Sequence, residues 1–158
     1  MIITIKGNRL RHVDKKLIHD ALEWLVCSLV GTRLAHYICI DVVLDKTLSK
    51  ETGCLALCGP SDYDYGSRHR DFEIILDPTL TRNTMLCTLA HESVHVKQYA
   101  RGEIRDNSSH SRMKAGVRKW LGKNYKIKDD GSEPWEREAY RKERALTKEY
   151  KKALKTNG

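Results

Sequence analysis

His91-Glu92-Ser93-Val94-His95 sets two imidazoles four residues apart, with a carboxylate next to the first. On an α-helix, residues four apart project from one face, so both rings can reach a single metal ion. Glu92 then points along a cleft rather than at the ion, where it can take a proton from water and pass it to a leaving group. The donor types suit zinc, which accepts imidazole and carboxylate and keeps an open position in catalytic sites. In a chain of this composition the pattern arises by chance only about 0.02 times, so it carries information. The competing interpretation is two surface histidines flanking one helical turn.

A catalytic zinc site needs a third protein ligand, and Pro134-Trp135-Glu136-Arg137-Glu138-Ala139-Tyr140 is the segment that offers one. On the helix expected there, Trp135, Ala139, Leu146, Tyr150 and Leu154 define the inward stripe. Glu138 falls on that stripe and Glu136 falls outside it. A carboxylate aimed into a core is costly unless paired or metal-bound, so Glu138 is expected to be the third ligand. Pairing of Glu138 with Arg141 or Lys142 on its own helix is the alternative.

The elements around these residues follow from periodicity. Asp14 opens a helix with apolar residues at Leu17, Ile18, Ala21, Leu22, Leu25 and Leu29, and Gly31 stops it. Three β-like runs come next: His36–Leu44, Cys54–Cys58 and Asp71–Leu76. Residues 59–70, with Pro60, Asp62, Asp64 and Gly66, form the loop between the last two. Thr81 or Asn83 caps the motif helix, which runs through Met85, Leu86, Leu89, Ala90, Val94 and Val96 to Gly102. Residues 103–132 fit both a helix over Ser108–Leu121 and a hairpin turning at Gly122-Lys123-Asn124. Ser132 or Glu133 precedes the last helix, with Pro134 at its first position, where a missing donor costs little.

The 158 residues amount to about one domain, and no repeat or linker divides them, so residues 1–158 are expected to form one unit. Apolar residues at 40% and charged ones at 32% place the chain among globular rather than disordered sequences. No apolar run approaches the roughly 18 residues that cross a bilayer, and the start lacks an export signal, so a cytoplasmic location without membrane contact is expected. Cys27, Cys39, Cys54, Cys58 and Cys87 are odd in number and are expected to be reduced thiols. Cys54 and Cys58 alternate with leucines, as small core residues do. The formal net charge of +8 raises attraction to an acidic partner, most of all along Arg141–Lys155, although a solvated helix face accounts for that stretch as well.

Leu89-Ala90-His91-Glu92-x-Val94-His95-Val96-x-Gln98, followed by Pro134-Trp135-Glu136-x-Glu138-Ala139, resembles the small zincin-like metallopeptidases of bacteriophages and bacteria, of the gluzincin type. The resemblance spans about residues 70–150. It implies an α+β zincin-like domain in which a mixed or antiparallel sheet of about three to four strands packs on the motif helix, with N-terminal and C-terminal helices. It also implies zinc on His91, His95 and Glu138, with Glu92 as general base, a protein or peptide substrate, a site in the cytoplasm of a bacterium or infected cell, and Phe72–Leu76 along the substrate cleft. The reading from another functional class is a basic nucleic-acid- or protein-binding module, with Trp120, Tyr125 and Tyr150 among the cations and any zinc purely structural. Tyr99, His110, Tyr125 and Tyr140 are all available to stabilise an oxyanion, and spacing does not choose among them.

Overall fold

In the computed structural model, residues 1–7, 12–61, 68–105, 116–128 and 130–156 are described. The chain begins with strand β1 (Ile2–Lys6), then helix α1 (His12–Val30), a short helix α2 (Thr32–Ala35) and strand β2 (Cys39–Leu44). A further short helix, α3 (Leu48–Thr52), leads to strands β3 (Ala56–Pro60) and β4 (Asp71–Leu76), and the long helix α4 (Arg82–Ala100) follows. Strands β5 (Ile104–Arg105), β6 (Val117–Trp120) and β7 (Lys123–Lys126) precede the last helix, α5 (Pro134–Thr156). The fold is α+β with a mixed four-stranded sheet ordered β1-β2-β4-β3, and a smaller sheet β5-β6-β7. No described helix is long and apolar enough to cross a membrane.

Alternation explains the main sheet. Ile40 and Val42 on β2 stand in register with Phe72 and Ile74 on β4, all four are buried, and each such side chain contributes roughly 1.5–3 kcal/mol when withdrawn from water. They join Ile18, Leu22 and Leu25 of α1 and Leu86 and Leu89 of α4 in one core. Gly31 adopts φ 84° directly after α1, a left-handed position that ends a helix without steric penalty. Thr81 caps α4, its Oγ1 accepting from the Thr84 backbone N–H at 3.3 Å.

Several sequence expectations shift. β1 was not anticipated, because five residues of which only alternate side chains are half-buried leave little pattern. The run from His36 is strand only from Cys39: the chain is helical through Ala35 and turns at His36 and Tyr37. Over residues 117–126 the hairpin prevails, since Leu121 (φ 46°) and Gly122 (φ 84°) make a two-residue turn with both φ values positive. The rest of the Ser108–Leu121 alternative, up to residue 115, lies outside the described residues.

The cleft border also moves. β4 lies inside the sheet, hydrogen-bonded to β2 on one side and β3 on the other, so Phe72–Leu76 cannot edge a cleft. The edge strand on the cavity side is β3, antiparallel to β4, and its residues 56–58 line the cavity beside α4. Cys54 precedes that strand, and both Cys54 and Cys58 are half-buried on the cavity wall, Cys58 packing against the core as well.

Candidate metal centre and its cleft

α4 is buried on most of its circumference, packed between α1, α5 and β3. Thr84, Cys87, Thr88, His91, Glu92 and His95 recur along one side of it at helical spacing, and this polar stripe forms one wall of a cavity of about 600 Å³. β3 supplies a second wall, and α5 a third through Glu136, Tyr140 and Glu143.

Within the cavity, His91 Nε2 lies 3.2 Å from His95 Nε2. Glu136 Oε2 is 3.2 Å from His91 Nε2, and Glu136 Oε1 is 3.4 Å from His95 Nε2. Three donors on a tetrahedral ion with bonds of about 2.0–2.1 Å stand about 3.3 Å apart; the closest approaches here, made through the two Glu136 oxygens, are of that order, and one donor atom from each of the three residues lies within 4.8 Å of the others. The other ring nitrogens are occupied. His91 Nδ1–H donates to Glu143 Oε2 at 2.9 Å, and His95 Nδ1–H donates to Gln98 Oε1 at 2.8 Å. With both Nδ1 positions carrying a proton, each ring in its neutral form turns an Nε2 lone pair toward the carboxylate of Glu136 and toward the other ring. Such a convergence calls for positive charge between the donors, either Nε2 protons given to Glu136 or a cation in their place, and the His91-His95-Glu136 group can hold a metal ion.

Electrostatics agree with that requirement. Glu92, Glu136 and Glu143 all reach the same cavity, around two imidazoles. Burial opposes charge on His91, yet its hydrogen bonds to Glu136 and Glu143 and the charge of Glu92 outweigh it and raise its pKa. Glu136, although desolvated, is held far below the usual carboxylate range by hydrogen bonds from His91 and His95. Burial instead pushes Glu92 up, against the pull of His95 and His91. The pocket thus favours positive charge at the triangle and keeps beside it a carboxylate with a raised proton affinity.

Glu138 does not join the triangle. Its Oε1 accepts from Lys97 Nζ at 3.0 Å and from Lys142 Nζ at 2.7 Å, and its Oε2 accepts from Gln98 Nε2 at 2.9 Å. Where the sequence points to Glu138 as third ligand, the structure brings Glu136 rather than Glu138 to the two histidines. The reason lies in the helix: at 100° per residue, Glu136 and Glu138 flank the buried stripe on opposite sides, about 200° apart, and α5 crosses α4 with the Glu136 flank toward the histidines. Burial pushes the Glu138 pKa up, but the Lys142 and Lys97 ion pairs and the Gln98 amide hydrogen bond outweigh it and bring it down to about 2.

Glu138 nevertheless acts on the site through Gln98, which is fully buried. The Gln98 amide N–H groups donate to Trp135 O at 3.0 Å and to Glu138. With both acceptors on that side, the amide oxygen must face His95 Nδ1, and this fixes the tautomer that leaves Nε2 free. Glu138→Ala should weaken metal binding by about 10–100-fold, the usual cost of losing an outer-shell partner, while leaving a measurable site. Isothermal titration with zinc checks this; an affinity equal to the parent's would show that the amide is oriented without it.

Sequence reasoning passed over Glu143 and did not single out Tyr140 from the other oxyanion candidates. Their signal was present: Glu136, Tyr140 and Glu143 follow i, i+4, i+7 spacing on one flank of α5. Tyr140 sets its ring 4.7 Å from that of His91, and burial together with Glu136 and Glu143 raises its phenol pKa. Of the other oxyanion candidates, Tyr99 lines the cavity, Tyr125 packs against Trp135, and His110 lies outside the described residues. Arg118, also on the cavity wall, lies over the Trp135 ring at 4.9 Å.

Comparison of the chain with family models, with curated proteins and with solved structures finds no match.

Proposed function

We propose that this chain is a zinc-dependent peptidase with a zincin-like site, in which His91, His95 and Glu136 hold the metal and Glu92 is the general base. The observation that carries the reading is the donor triangle with its two oriented imidazoles, opening on a cavity that also holds a buried carboxylate. Two nitrogens and one carboxylate leave a tetrahedral ion one open position, the arrangement of hydrolytic rather than structural zinc.

When bound, zinc supplies Lewis acidity, polarising a carbonyl oxygen and acidifying water to a pKa near about 7. Glu92 accepts the proton of the attacking water and delivers it to the departing amine, a task for which its burial prepares it. Glu143 and Gln98 hold the two imidazoles in their ligating orientation. Tyr140, whose raised pKa keeps the phenol protonated, is the hydroxyl donor we assign to the developing oxyanion.

A peptide substrate is supported by β3. This edge strand borders the cavity, and among the described strands it pairs on one side only, so its outer backbone groups can receive an extended chain. Leu55 and Leu57 stay 40% and 42% exposed there, an apolar border for side chains of the bound segment.

Metal removal tests the reading. Protein dialysed against a strong chelator should lose cleavage of a proteome-derived peptide library, followed by mass spectrometry, and regain it with one equivalent of zinc. Undiminished cleavage by protein shown to be metal-free by elemental analysis would end the proposal.

A further inference from the structure

The outward face of α5 has a charge pattern that the metal centre does not use. At 100° per residue, Arg137, Arg141, Arg144, Lys148, Lys152 and Lys155 all fall within about 60° of one line along the helix. Each of the six is exposed, and none forms an ion pair with another described residue. Lys151 lies in the same arc and turns to Asn83. The four acids of the helix all fall outside the arc: Glu136 and Glu143 face the cavity, Glu138 is bound to Lys97, Lys142 and Gln98, and Glu149 lies beyond the border. A solvated helix face ordinarily mixes signs at i, i+4, which this one does not. The helix dipole accounts for cations near the C-terminus, Lys152 and Lys155, but disfavours Arg137 and Arg141 near the N-terminus.

From this we infer that α5 is a docking surface for the phosphate backbone of double-stranded nucleic acid. The row covers about 27 Å at about 1.5 Å per residue. A duplex presents a negative charge about every 1.7 Å along its axis, so every cation in such a row finds a phosphate. Arg137, Arg141 and Arg144 bring the planar donors that suit phosphate oxygens. The charge is arranged as a line, which complements a linear polyanion. Insertion into a membrane surface requires an apolar face, and that of α5 is already buried: Trp135, Ala139 and Tyr150 lie in the interior. Recognition of single strands relies on stacking, and the arc between the six cations contains no aromatic ring; Tyr140, at its border, is engaged with His91. Backbone contacts of this kind position a protein without selecting a base sequence.

The test uses the full zinc-loaded chain and a fluorescent duplex of random sequence, about 30 base pairs long, read by anisotropy across a salt series. With six contacts, the logarithm of the binding constant should fall against the logarithm of salt with a slope near about −5. The variant Arg144→Gln/Lys148→Gln/Lys152→Gln keeps good helix formers away from the cavity, so its zinc content and thermal unfolding should match the parent's, and its slope should be shallower by about 3. No binding by the parent at about 50 mM salt, where such electrostatic contacts are strong, would overturn the inference. So would a slope unchanged in the triple variant, or binding to single-stranded DNA or to phosphatidylserine vesicles that equals or exceeds binding to the duplex. Since none of these measurements depends on hydrolysis, their outcome is separate from that of the peptidase reading.

Discussion

Glu92→Gln should retain stoichiometric zinc and lose hydrolysis by about 10²–10⁴-fold in kcat, the range a positioned general base contributes. The substitution keeps the side chain's shape and removes only its ability to accept a proton. Because Glu92 is not among the three converging donors, metal content should stay at one per chain by elemental analysis. Its near-complete burial also means that the parent carboxylate is held at a desolvation cost, so the neutral amide should leave the protein equally or more resistant to thermal unfolding. A variant that holds zinc and cleaves peptides at the parent rate would remove Glu92 from the chemistry.

Glu136→Ala should have the largest effect on the metal itself. Among the described residues, Glu136 supplies the one carboxylate close to both Nε2 atoms, 3.2 Å from one and 3.4 Å from the other. Without it two imidazoles remain, fewer than the three protein ligands of a catalytic zinc site, and affinity should fall by more than the roughly 100-fold that bounds outer-shell losses. The comparison with Glu138→Ala is the sharp one, because both changes delete a carboxylate from the first two turns of the same helix. After dialysis without chelator, Glu136→Ala should contain little zinc and Glu138→Ala most of its complement. The opposite ranking would show that α5 presents its other flank to the metal in solution.

That ranking marks the limit of what the motif alone conveys. The His91–His95 pair was legible because it depends on one helix: four residues make one turn, and no tertiary information is needed to put both rings on a common face. Thr81 as the cap, Gly31 as a stop and Pro134 as a first helical residue were legible for the same reason, each reflecting a preference confined to a few neighbouring residues. The third donor depends instead on how two helices cross. Periodicity located the α5 interface, and Glu138 was placed on its stripe, although at 100° per residue it lies about 90° to one side of the mean direction of Trp135, Ala139, Leu146 and Tyr150, with Glu136 about 70° to the other. The cavity opens along one flank of the contact, and the periodicity of α5 is the same whichever flank faces it.

The cleft border shows the same division at the level of the sheet. Apolar alternation identified Phe72–Leu76 as a strand, but strand order is a matter of non-local pairing. The edge went to Ala56–Pro60 because β3 pairs antiparallel with β4, leaving β4 enclosed between two neighbours. Over residues 117–126, helix and hairpin were undecided in the sequence; packing of Trp120 and Tyr125 against Trp135 secures the strands there, with both rings 6.4 Å from the indole. By itself the sequence determined the local geometry that aligns two imidazoles and the charge that covers the outer face of α5, since helical repeat and composition suffice for both. The tertiary structure decided which carboxylate completes the triangle, which amide orients His95 and which strand borders the cavity, because each of these depends on contacts between segments whose relative rotation no local preference encodes.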